Sequence, residues 1–161
     1  ARVACCCGSD EKCAQARELG ADLAIDYKSE DIGARLREFA PGGIDVFWET
    51  RRQPELEFAI ESLAERGRLV LMAGRDAVVP FPVGPFYFKQ CSVVGFVMFQ
   101  CTPDEQRTCA DDLNRWLDQG AIRPRIDRII PLAEAAAAHQ VQEDNTIDGA
   151  GTLAGKIVLT P

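Results

Sequence analysis

Short apolar runs alternate along the chain with longer stretches in which apolar residues recur every three or four positions, the two periods of strands and helices. RVACCC, Arg2 to Cys7, is a buried strand closed by Gly8. Ser9 then caps a helix: Asp10 and Glu11 sit at its positive end, Cys13, Ala16 and Leu19 share a face, and Gly20 stops it. Leu23 to Ile25 is a second short strand, ended by Asp26 and Tyr27. Ser29 to Ala40 is an amphipathic helix, Pro41-Gly42-Gly43 a breaker, and Ile44 to Glu49 a strand. Pro54 opens a helix with Leu56, Ala59, Ile60 and Leu63 in phase, and Gly67 follows. Arg68 to Gly74 is nearly all apolar, as in a parallel strand covered on both faces. A Pro- and aromatic-rich connection (VVPFPVGPFYFK) leads to the strand Ser92 to Phe99. Thr102-Pro103-Asp104-Glu105 is a capping box with Pro at the first helical position, opening a helix that runs to Gly120. IRPRIDRIIPL leads into the alanine-rich helix Glu134 to Gln142, then come a polar loop, Asp144 to Gly155, and the strand KIVLT. This alternation predicts an α/β fold, a doubly wound, mostly parallel sheet joined by right-handed crossovers, with no linker dividing residues 1–161.

With 161 residues and 47% hydrophobic ones, the chain has the material for a packed core. Its net charge of −7, without a basic run, argues against nucleic acid as a partner. No apolar run reaches the roughly 18 residues of a membrane span. The start also lacks the charged and apolar segments of a signal peptide, and a soluble cytoplasmic protein is expected.

Three consecutive cysteines, Cys5 to Cys7, raise the question of a metal or disulfide site. Seven cysteines is an odd number, unlike a closed disulfide set. Adjacent strand residues point to opposite faces, so these three cannot converge on one ion, and the chain has a single histidine, His139. The cysteines are expected to be small buried hydrophobes, with no metal site. His139 reads as a surface or packing residue, and no acid/base pair stands out.

In a doubly wound sheet ligands bind beyond the carboxyl ends of the strands. In order, VACCCGSDEKCAQARELGADLAIDY, GIDVFWET, GRLVLMAG, SVVGFVM, RPRIDRIIPLAEAAAAH and GKIVLTP resemble the nucleotide-binding half of medium-chain dehydrogenases/reductases. The branch they most resemble is that of the zinc-independent, zeta-crystallin-like NADPH:quinone oxidoreductases. The resemblance implies a Rossmann-like fold and an NADPH site. An acid at the adenosine-ribose strand tip selects NADH, whereas hydroxyl and basic groups accept a 2′-phosphate. Here the tip is Gly8-Ser9, with Lys12 one turn on and Tyr27 where the family places an aromatic hydroxyl. By the same resemblance Thr50 is a cofactor hydroxyl, Met72, Ala73 and Gly74 line the nicotinamide ribose, and Phe96, Val97 and Met98 hold the carboxamide. The resemblance further implies metal-free hydride transfer to a quinone or an α,β-unsaturated carbonyl. An enoyl thioester reductase remains open, as does a non-catalytic dehydrogenase-like module that dimerises through the strand near Ser92 to Phe99.

The chain departs from the family in three ways. Arg51-Arg52-Gln53-Pro54 replaces a valine and paired glycines, and the loop Asp144 to Gly155, whose Asn145 would approach the phosphates, is long. No GxGxxG occurs, so the first strand and its pyrophosphate turn are expected to be missing, together with the N-terminal catalytic domain. The chain is then expected to be the C-terminal part of a dinucleotide-binding domain, a fragment or one piece of a split enzyme, or to take the missing strand from a partner chain.

Overall fold

A computed structural model describes residues 1–161 as an α/β protein in which every paired strand runs parallel to its neighbour. The chain forms two compact units, 1–100 and 101–161, although the sequence contains no obvious linker. The single sheet expected from the sequence is resolved into three.

In the first unit β1 (Ala4–Cys7) pairs with β2 (Leu23–Asp26), and β3 (Ile44–Glu49), β4 (Leu63–Leu71) and β5 (Ser92–Gly95) form a second sheet in that order. Between β1 and β2 lies α1 (Asp10–Glu18), capped by Ser9, whose side chain accepts from the Lys12 N–H. Gly20, with φ of +102°, turns the chain after α1, as expected for a C′ glycine. Asp31 caps α2 (Ile32–Phe39), so that helix begins three residues later than the pattern indicates.

The core of the unit forms where α3 (Leu56–Ser62) lies on one face of the second sheet. Leu56, Ala59 and Ile60 of the helix bury against Leu63 and Leu69 of β4, with Phe47 and Val93 packed alongside. Phe47, Leu69 and Val93 stand opposite one another in register and therefore share that face. Burying a Leu or Ile side chain is worth about 1.5–3 kcal/mol, enough for this cluster to fix the helix on the sheet. Leu63, read from sequence as helical, is the first residue of β4, because its phase serves the core equally from either element.

Two further elements differ from expectation. The aromatic connection contains a helix, α4 (Val83–Phe88), in which Pro85 is tolerated because first-turn N–H groups have no intrahelical acceptor. β5 stops at Gly95, since its partner β4 ends at the paired Leu71. One more bond, from the Phe96 N–H to the Leu71 carbonyl, closes the ladder, and Met98–Gln100 forms a 3-10 turn. The cysteines are free but not uniformly buried: Cys13 is buried, whereas Cys6 and Cys109 are exposed.

The second unit comprises α5 (Pro103–Asp118), β6 (Ile126–Pro131), α6 (Ala135–Thr146) and β7 (Lys156–Thr160), with β6 and β7 paired. The capping box at Thr102 forms as read, with reciprocal bonds between Thr102 and Glu105. α6 extends into the stretch read as a polar loop. There the Asn145 side-chain oxygen accepts from the Leu153 N–H, so Asn145 ties down its own loop. No helix is long and apolar enough to cross a membrane.

Candidate functional site

All eleven residues singled out as cofactor contacts lie in the first unit, at or just beyond the carboxyl ends of its strands. At the tip of β1, the Tyr27 N–H donates to the Cys7 carbonyl and extends the β1–β2 ladder by one residue. The Tyr27 ring then lies across Gly8: a Cβ built on Gly8 would meet the Tyr27 hydroxyl at 2.7 Å and its ring carbon Cζ at 3.2 Å. The end of that ring fills the space a Gly8 side chain would enter. Tyr27 is half exposed, and Ser9 and Lys12 follow directly in the turn and the first turn of α1. Gly8, Ser9 and Tyr27 thus converge on one turn, with Lys12 on the adjoining helical turn.

Three of the neighbouring acids have structural roles. Glu11 accepts from the Gln15 side chain. Asp26 is buried at the end of β2, where its carboxylate accepts from the Lys28 N–H and its own N–H donates to Glu30. None of these three occupies the β1 tip itself, while Asp10, exposed at the first position of α1, directly follows Ser9.

A second group forms at the tips of β3 and β4. Gly74 has φ of +81°, and a Cβ there would meet Pro54 Cγ at 2.9 Å, so the turn after β4 rests on the turn after β3. Met72 accepts from the Trp48 indole N–H and donates its backbone N–H to the Glu49 carbonyl. Ala73 is exposed beside it. Phe96, Val97 and Met98 leave the end of β5 with exposed side chains, outside the strand to which the sequence assigned them.

Sequence reasoning missed the clasp around Thr50. Glu49, only 2% exposed, ends β3. Its carboxylate accepts from the Arg51 backbone N–H at 2.8 Å and from the Arg51 guanidinium at 2.6–3.1 Å. The guanidinium also reaches Glu55 at 3.0 Å. Burial pushes the Glu49 carboxyl up, but the Arg51 bonds and charge outweigh it and hold the group below its ordinary value. The Glu49 bond in turn raises Arg51, which stays charged. Two arginines after a strand carry no pattern that would reveal this in sequence; the acid that ends the strand IDVFWE was the available signal.

Cys7 is pushed up to about 11 by burial and by its bond to Cys13, which marks an unreactive thiol. β1 pairs only with β2 and β3 only with β4, so the edges of β1 and β3 turned from those partners carry no strand.

Comparison with known proteins places these features in context. The profile of the zinc-binding dehydrogenase family matches residues 1–115. Prostaglandin reductase 1 of Bos taurus is 27% identical over 72% of the chain and 38% of its own length. Quinone oxidoreductase of Pseudomonas aeruginosa is 29% identical over 81% of the chain and 42% of its own. Among solved structures, a mycobacterial protein complexed with NADPH superposes with a TM-score of 0.80 at 25% identity, over 99% of this chain and 49% of that one. The chain spans less than half the length of each of these relatives.

Proposed function

This chain belongs to the zinc-binding dehydrogenase family, and from that premise we propose that it is the NADPH-binding portion of an oxidoreductase that delivers hydride to a quinone or an α,β-unsaturated carbonyl without a metal. The observation that carries the reading is the turn at the tip of β1, where the Tyr27 ring lies across Gly8, next to the Ser9 hydroxyl and Lys12. That set offers hydroxyl donors and a cation to the group that distinguishes NADPH from NADH. When bound, the nicotinamide supplies the hydride; the chain's residues hold the adenosine end and line the ribose and carboxamide at Met72, Ala73, Gly74 and Phe96 to Met98. The relatives that carry reductase and oxidoreductase names, and the neighbour solved with NADPH, support the assignment.

The open edges of β1 and β3 support the reading of the chain as the C-terminal part of a dinucleotide-binding domain. Parallel strands are normally paired on both sides and covered on both faces. One further parallel strand, carrying the glycine-rich turn for the pyrophosphate, would pair both edges. β5 is a free edge as well, and the exposed Phe96, Met98 and Phe99 beyond it favour self-association of two copies along that edge.

The test is retention on immobilised 2′,5′-ADP. Lys12→Glu and Tyr27→Ala are each expected to lose about ten- to hundredfold in affinity, the worth of a hydrogen bond to a charged group. Unchanged affinity in both variants, or no retention of well-folded wild type, overturns the NADPH reading and leaves the dimerising module. Sedimentation with Phe99→Asp tests self-association separately, with a shift to monomer expected.

A further inference from the structure

We propose that Arg51 is a positioning residue: held between Glu49 and Glu55, it fixes the backbone around Thr50, so that the β3 wall of the crevice presents Thr50 to the nicotinamide half of the cofactor. The inference rests on the NADPH reading above and adds a determinant to it.

The clasp is a closed ring. Glu49 ends β3 with its side chain 3% exposed, and both the backbone N–H and the guanidinium of Arg51 return to that one carboxylate. Thr50 is the single residue enclosed between them, and it is exposed. A buried carboxylate is costly to leave unpaired, so Arg51 cannot let go without stranding Glu49. The bond from Arg51 to Glu55, the residue just before α3, anchors the far side of the turn. The turn is thus pinned at the strand, at Arg51 and at the helix start. A direct grip on phosphate is the competing role, and charge counts against it. Two carboxylates around one guanidinium leave the trio net negative, and Nε, Nη1 and Nη2 all point at carboxylates. Location ties the clasp to the crevice, because the Glu49 carbonyl accepts from the Met72 N–H and Pro54, next to Glu55, packs under Gly74. A planar fork that meets two carboxylates at once also explains why arginine, and not lysine, serves here.

The experiment compares the dissociation constants of NADPH and 2′,5′-ADP for the intact protein and its variants. 2′,5′-ADP reads only the adenosine turn at Gly8, Ser9 and Tyr27, whereas NADPH reads both walls. Arg51→Met is expected to weaken NADPH about tenfold, the scale of a modest misplacement of a binding group, while 2′,5′-ADP stays within about twofold. In a Thr50→Val background Arg51→Met adds little further loss, since both act through the same contact. Arg51→Lys, which keeps the charge but not the fork, and Glu55→Gln, which alters one arm of the clasp, are expected to weaken NADPH alone by about two- to threefold, and they decide the matter if Arg51→Met does not fold. Wild-type NADPH affinity in these variants, parallel loss of both ligands, or additivity with Thr50→Val overturns the proposal. Wild type that binds neither ligand overturns the NADPH reading itself, a different result from any of these.

Discussion

At the scale of single residues, the candidate site depends on where side chains are absent as much as on where they are present. A methyl group on Gly8 would sit 2.7 Å from the Tyr27 hydroxyl. The obstacle is the far end of a half-exposed ring, which swings aside cheaply, so Gly8→Ala is expected to cost less than about 1 kcal/mol of stability. The displaced hydroxyl is then lost to the cofactor. 2′,5′-ADP affinity is expected to fall about tenfold, the worth of one hydrogen bond to a charged group, while the denaturation midpoint barely moves. A large drop in stability with unchanged affinity would place Gly8 in the core and not in a site. Gly43 differs in kind, because its φ of +92° and the Ala64 backbone nitrogen 2.5 Å from a Cβ leave nothing that can yield.

Among the elements, α3 carries the core and depends on a cation that sequence patterning does not reveal. The Lys89 ammonium donates to the carbonyls of Ile60, Glu61 and Leu63 at 3.2, 2.8 and 2.9 Å, where α3 ends and β4 begins. A helix of seven residues has few internal bonds, and its last carbonyls have no intrahelical donor. Lys89→Met keeps the stem and removes the charge; it is expected to cost about 1–3 kcal/mol, the penalty for stranded partly buried acceptors plus the lost charge at a helix C-terminus. Urea denaturation of the variant measures this, and a change below about 0.5 kcal/mol, ordinary for a surface substitution, would show that water serves those carbonyls equally well.

For the molecule as a whole, pH dependence follows from the clasp. Glu49 is lowered in the folded state, so its contribution to stability is present above its ordinary value of 4.5 and is lost as pH falls through the lower folded value. The stability gap between wild type and Glu49→Gln is therefore expected to be full at neutral pH and to close on acidification below 4.5. A gap that persists unchanged at acid pH would show that Glu49 acts by shape alone.

The order of strands and helices was legible because it rests on local rules. Ser9 and Thr102 each supply a hydroxyl to orphan N–H groups, Gly20 takes the left-handed turn, and the apolar run from Arg68 feeds a parallel strand whatever surrounds it. Gly8, Ser9, Lys12 and Tyr27 were named from the family resemblance, and Gly8 and Tyr27 meet because residues that follow paired parallel strands emerge at the same end of the sheet. Where β5 stops, whether the aromatic connection coils into α4, and how the strands divide among three sheets depend on a neighbouring strand's length, on packing against Phe81 and the core, and on the pairing of edges. The clasp of Glu49, Arg51 and Glu55 belongs with these. A charged residue's partner is set by distance in space, and residues 49 to 55 reveal theirs only once the end of β3 and the start of α3 are held in place by the core between them.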